Sequence, residues 1–301
     1  RWSYGIGETW TLLVPNTKGG ASMPLAQSEK AMEKADQDFL PIYQQIGQYW
    51  GEQPGTSGPV YVGAFVMMLF ILGLFIVKGP IKWALLAVTI LSILLSWGKN
   101  FMGFTDFFLD YVPMYAKFRT VASILVIAEF TIPLLAMLSL KKFLDEPEQM
   151  KPRMKYVGIS FLLTGGIAML FSLMPSMFFD SFISTSEMHA IQNLPAEYIQ
   201  PLVANLTEMR QAVFTADSLR SFYIILAGTG ILLSVVFGKL KKEYAVGIIL
   251  VLCLVDLWTV NKRYLNDDMF VPEAEREAPQ QKTQTDELIL RDQNLDFRVL
   301  N

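Results

Sequence analysis

Six apolar runs separated by polar, turn-rich segments set the pattern of this chain. They cover 60–77, 83–97, 119–140, 156–175, 221–238 and 244–260. Each approaches the ~20 residues that a helix needs to cross the hydrocarbon of a bilayer. The pattern predicts an all-α polytopic membrane protein of about six transmembrane helices, with a transmembrane domain over 60–260. Residues 1–59 read as an extracytoplasmic loop. Within it, 28–38 suits a charged, exposed helix, and Phe39, Ile42, Tyr43, Ile46, Tyr49 and Trp50 then recur at helical spacing. Pro41 lets a helix start there but not run through it. That amphipathic segment fits either a membrane interface or the face of other helices. A second amphipathic helix is expected from Ala196, with Ile199, Leu202, Val203, Leu206, Met209 and Val213 on one face. Residues 261–301 are polar, with Pro272 and Pro279. Thr283 or Thr285 is placed to cap a short helix over 286–290. Residues 296–300 then resemble a strand opening a further extracytoplasmic domain, so the chain reads as an internal piece of a longer protein.

Composition sharpens this picture. Apolar residues make up 52% of the chain and charged residues 18%, a mixture that apolar blocks with polar connections produce. Basic residues orient the blocks. Lys78, Lys82, Lys141, Lys142, Lys151, Arg153, Lys155, Lys239, Lys241 and Lys242 fall in three alternate connections, ten on one side in little sequence. Excess Lys and Arg marks the cytoplasmic side, so both ends are expected outside. Lys262 and Arg263 are the exceptions. The single Cys253 and single His189 exclude a disulfide framework and a His or Cys metal cluster. A net charge of −3 gives no reason to expect nucleic acid.

Chemistry concentrates in residues 97–119. Lys99, Asp106, Asp110, Lys117 and Arg119 stand there among seven Phe and Tyr residues, including Phe104, Phe107, Tyr111 and Tyr115. Rings settle at headgroup depth while charges turn to water, so the segment is expected at a membrane surface. Lys117 and Arg119, at the start of the third span, with Lys99 from the other end, suit a phosphate. A guanidinium binds phosphate bidentately and Lys adds a point charge. Snorkelling helix anchors are the plainer alternative. Asp106 and Asp110, four apart, suit a divalent ion, a general base, or pairing with Lys117 and Arg119. The aromatic residues would border a lipid groove.

Two further acids lie inside spans, where charges are functional candidates by default. Glu129, ten residues into a span beginning at Arg119, is expected ~15 Å deep. It is either a neutral bridge between helices or a group facing a wet cavity. Pro133 frees its carbonyl and favours a kink. Asp256 is expected to reach the interface beside Lys262 or Arg263. Asp217 and Arg220 are placed to hold each other or a headgroup. Gly228-Thr229-Gly230 is read as helix packing, not a phosphate loop.

Taken in order, several pieces resemble the YfhO family of bacterial polytopic membrane proteins, in wording that is closest to members from Bacteroides-like bacteria. They are Leu13-Val14-Pro15-Asn16 with Gly19-Gly20, Gly58-Pro59-Val60-Tyr61-Val62-Gly63, Ser96-Trp97-Gly98, Pro113-Met114-Tyr115 leading to Lys117-Phe118-Arg119, and Phe297-Arg298-Val299-Leu300. That family is grouped with GT-C-type membrane glycosyltransferases. The resemblance implies sugar transfer from a polyprenyl-phosphate donor to a cell-envelope acceptor, outside the cytoplasmic membrane. It places the catalytic carboxylate in a first outer loop upstream of residue 1, leaving Asp106 and Asp110 as substitutes by position only. Competing readings are a transporter or flippase of a lipid-linked or anionic substrate, with Glu129 as coupling group, and a non-catalytic membrane scaffold.

Overall fold

A computed structural model of the chain describes residues 2–117, 119–273, 282 and 284–291. Among these residues the secondary structure is helical, apart from isolated bridges between Trp2 and Thr120 and between Pro24 and Gly47. The chain divides into two units, Arg1–Val260 and Asn261–Asn301. Its principal helices are α1 (Ala64–Ile76), α2 (Ile81–Ser96), α3 (Met102–Tyr111), α4 (Val126–Asp145), α5 (Pro147–Leu173), α6 (Thr185–Ile191), α7 (Ala196–Val236) and α8 (Lys242–Tyr264).

Four segments are long and apolar enough to cross a bilayer: Val121–Asp145, α5, α7 and α8. The pair Ile81–Ser96 and Gly98–Tyr111 adds a fifth if counted as one broken span, for it bends by 107°. Four or five of the six expected spans therefore meet that length among the described residues. Residues 60–77 yield only the 13 residues of α1, ~20 Å of helix, too short to cross alone. Gly63 is the reason. It sits at a φ of 98°, a left-handed conformation that holds the preceding residues out of the helix.

A second correction concerns α7. The sequence suggests an outer amphipathic helix followed by a separate fifth span, but one helix of 41 residues covers both. At 1.5 Å per residue it is ~60 Å long, twice the hydrocarbon thickness. Pro201, its sixth residue, removes the bond that an N–H there would give the Glu197 carbonyl, yet the helix continues through it. The N-terminal half of α7 presents Leu202, Leu206 and Met209 to a small core that also contains Leu25, Phe39, Tyr43 and Ile191. Phe39 and Tyr43 thus pack on other helices. The helix over that stretch is only Leu40–Tyr43, so the longer amphipathic helix does not form. The expected 28–38 helix reduces to Glu29–Met32, capped by Ser28.

The larger core lies among the spans. Phe65, Met68 and Leu72 of α1 meet Ala128, Ile132 and Leu135 of α4, its most extensive partner. Between apolar helices in lipid, close packing supplies the attraction that water supplies elsewhere. Gly228 of α7 shows how close: a Cβ there would lie 2.2 Å from the Phe65 ring. The hydroxyls of Thr89 and Thr131 join α2 to α4 at 2.6 Å. Lys242 pairs with Asp145, which brings the α4–α5 and α7–α8 connections to one end of the bundle. In the second unit, Lys262 lies 3.7 Å from Asp267 and a short helix covers Gln284–Ile289. Thr283 and the strand expected over 296–300 lie outside the described residues.

Candidate functional site

The site is organised by residues 2–18, the stretch that the hydrophobic pattern leaves least marked. Residues 2–4 run between the two ends of the 97–119 segment. Tyr4 N–H donates to the Ser96 carbonyl at 2.8 Å, and Ala122 N–H to the Trp2 carbonyl at 3.2 Å. Lys99 N–H donates to Ser3 Oγ at 3.1 Å. The chain then forms a 3₁₀ helix, Gly7–Leu12, and Leu12, Leu13 and Val14 are buried in the core of the spans. Trp97 Nε1–H donates to Thr9 Oγ1 at 2.9 Å, and Ser221 Oγ to the Leu13 carbonyl at 3.0 Å. Helices α2 and α7 therefore grip this short helix from both ends.

Beneath it lies an apolar cavity of about 510 Å³. Its walls include Met67 and Ile71 of α1, Leu86 and Ile90 of α2, and Leu163 and Thr164 of α5. The last two stand on a π-helical turn, Leu162–Gly166. Such turns widen a helix locally and recur at functional sites. The hydroxyls facing this cavity are already bonded, Thr164 to the Ser160 carbonyl and Thr89 to Thr131. An apolar chain can fill the space without leaving a polar group unpaired.

On the other side of the 3₁₀ helix is a polar pocket of about 530 Å³. Ile6 and Trp10 line both spaces, so one turn of backbone forms their common wall. Lys18, Glu52 and Asp180 supply the pocket's charges, and Trp50 and Phe179 its aromatic floor. The Lys18 ammonium lies 3.7 Å from the Trp50 ring centre and 4.6 Å from that of Phe179, both cation–π contacts. Burial pushes its pKa down to about 8, against the opposing pull of Glu8 and Glu52. Glu8 sits behind the pocket, buried, accepting from Tyr49 Oη–H and the Gly5 N–H. Burial raises its carboxyl above the usual range, while those two bonds act the other way. The Tyr49 hydroxyl is pushed up in turn, first by burial and then by the charge of Glu8.

The residues anticipated from the sequence fall elsewhere. Asp106 and Asp110 are exposed on α3, as are Phe107 and Tyr111. Rings of this segment stack on one another: Phe101 on Phe104 at 5.7 Å, Phe104 on Phe108 at 5.0 Å, Phe107 on Tyr111 at 5.2 Å, and Phe108 on Tyr115 at 5.6 Å. Lys117 closes a 3₁₀ turn, and Lys117 and Arg119 are exposed. They do not stand at an α-helical N-terminus, since Val121–Leu125 is a 3₁₀ helix and α4 starts at Val126. Lys99 is exposed and directs its ammonium to the Glu52 carbonyl at 3.5 Å, beside the polar pocket. Glu129 falls in the first turn of α4 and is exposed, nearer the end of the helix than a span starting at Arg119 implied. Among the described residues no group of three or more His, Cys, Asp or Glu side chains is placed to hold a metal ion.

Asp256 departs most from expectation. It is buried, where the sequence suggests a carboxylate reaching the interface. Tyr61 Oη–H donates to it at 2.8 Å, Ala64 N–H at 3.0 Å, and Arg220 pairs with it at 2.8 Å. The N-cap of α1 is Gly63, which has no side chain to cap with. Asp256 supplies that cap from α8, where the helix dipole favours a negative charge. Arg220 thus pairs with Asp256 across α7 and α8.

Fold and site together define the class: an all-α, multi-pass membrane protein with two adjoining cavities, one apolar and one polar. Set against protein-family models, curated proteins and solved structures, the chain matches none.

Proposed function

We propose that this chain belongs to a membrane glycosyltransferase-like protein. It transfers a sugar from a polyprenyl-phosphate donor to a cell-envelope glycan or glycolipid on the outer face of a bacterial cytoplasmic membrane. The observation that carries this reading is the shared wall at Ile6 and Trp10, with an apolar cavity on one side and a polar pocket on the other. An amphiphile needs that pairing: the prenyl chain occupies the cavity and the sugar the pocket. The donor phosphate lies toward Lys99, Lys117 and Arg119, and the α3 rings rest among membrane lipids. Glu52 and Asp180 line the pocket, whereas Asp106 and Asp110 do not, so the pocket acids are the better placed to meet the sugar. The union of basic connections through Lys242 and Asp145 supports a cytoplasmic end opposite the site.

The test uses the purified protein in vesicles with a radiolabelled donor. Ile71→Trp fills the cavity and is expected to lower transfer at least tenfold at unchanged protein level. Arg119→Ala, which removes a phosphate contact at an exposed position, is expected to abolish it. Undiminished transfer in both variants would remove this reading.

A further inference from the structure

The charges of the polar pocket are not those of a phosphate or carboxylate site. Lys18 is its one cation among the lining residues, and that ammonium is already turned onto Trp50 and Phe179. Glu52 and Asp180 are both exposed within the pocket lining. Behind the pocket, Arg210 is fully buried, but Glu187 takes its guanidinium in two bonds of 2.5 and 3.0 Å. The carbonyls of Phe182 and Gly47 accept from the same group. Glu8, the remaining acid nearby, is tied to Tyr49 and Gly5. Helix α6 starts at the pocket wall, yet the Ser184 N–H there already donates to Glu187 at 3.0 Å in a capping box. Within the pocket lining an incoming anion finds only the engaged Lys18 and meets two carboxylates; the one unpaired N–H of Arg210, at Nε, is buried behind it.

A sugar ring without negative charge meets complementary groups. Trp10 offers an aromatic surface at the shared wall, and its ring is more than one-third exposed. Carboxylates accept hydrogen bonds from sugar hydroxyls, and more strongly from an ammonium. We propose that the pocket around Lys18 binds a neutral or amino sugar and rejects uronic acids. This rests on the reading of the site as a lipid-linked sugar site, and it names which sugars that site takes. Glu52 and Asp180 are the specificity-determining residues, and Trp10 is the platform.

The experiment measures binding of free sugars to the full chain in lipid nanodiscs by saturation-transfer NMR, with empty nanodiscs as the control. Glucosamine and glucose should saturate at millimolar concentration, and glucuronate should bind at least tenfold more weakly at low salt. In the Glu52→Gln, Asp180→Asn double variant the gap should shrink to about twofold. Both positions are exposed, so the fold should tolerate the change. Raising salt toward 1 M should narrow the gap in the unaltered chain, since exposed charges are then screened within ~3 Å. Glucuronate binding as tightly as glucose would overturn the proposal. So would absent sugar binding, or a gap that neither the double variant nor salt alters. Those failures leave prenyl-chain occupancy of the apolar cavity untouched. Loss of that occupancy would instead strike the glycosyltransferase reading.

Discussion

Residues 97–119 and residues 2–18 both combine aromatic rings with charges, and they use them in opposite ways. The first segment turns Asp106, Asp110, Lys117 and Arg119 outward and stacks its rings on one another. The second buries Glu8, half-buries Lys18 against two rings, and seats Leu12–Val14 among the spans. Residues dense in the sequence are dispersed at a surface, and residues sparse in the sequence converge with partners from 50–52 and 178–185. Crowding along a chain measures the local demand of an interface. Convergence needs long-range contacts, and only the fold supplies those.

The intramembrane acids sharpen this contrast most. Asp256 is buried with three partners, and removing one member of such a pair leaves the others uncompensated. Asp256→Ala is expected to destabilise the protein by ~3–5 kcal/mol, since the buried Ala64 N–H and the half-buried Arg220 guanidinium would both lose their partner. Glu129→Gln, at an exposed site, is expected to stay within ~0.5 kcal/mol. Thermal unfolding in one detergent compares the two directly. Equal losses would mean that Glu129 also has a buried partner.

The two segments themselves give the next effect. Glu8→Ala strands the buried Gly5 N–H, at a cost of ~1–3 kcal/mol, and removes the acceptor of the half-buried Tyr49 hydroxyl, which keeps its bond from the Gln53 N–H. Asp106→Ala and Asp110→Ala should each change stability by less than ~0.5 kcal/mol. If the α3 acids cost as much as Glu8, the contrast between the segments fails.

The smallest effect is a pH dependence. Burial lowers the Lys18 pKa from the ordinary 10.5 to about 8. Below about 8 the amine is charged in both folded and unfolded chains, and its burial penalty is fully present. Between about 8 and 10.5 the unfolded chain binds more protons than the folded one, so this group's contribution to stability rises with pH. Lys18→Met should therefore show its largest stability gain over the unaltered chain near neutral pH, and that gain should shrink toward pH 10.5. Parallel pH profiles would contradict the assignment.

Much of the bundle was legible in the sequence because a bilayer imposes length and apolarity on any helix that crosses it. The spans at 119–140, 156–175 and 244–260 each fall within or largely within a helix of the structure. Where sequence reasoning missed, the cause was contact at a distance. Nothing near Gly63 reveals that Asp256, 193 positions away, caps α1. Nothing between Val213 and Ser221 marks a break, and none exists; hydrophobic composition changed there while helical geometry did not. The candidate site was less legible still. Trp10 and Leu12–Val14 hinted at burial, but Lys18, Glu52 and Asp180 read as ordinary loop charges until the fold placed them around one pocket.

The central claim is that the prenyl chain of a lipid-linked sugar lies beneath the Gly7–Leu12 turn. Photolabelling with a polyprenyl-phosphate analogue carrying a diazirine in its chain, followed by peptide mapping, tests it most directly. The account predicts adducts on Met67, Ile71, Leu86 and Ile90, suppressed by Ile71→Trp. Adducts confined to Phe107 and Tyr111 of α3, with none in the cavity, would contradict it.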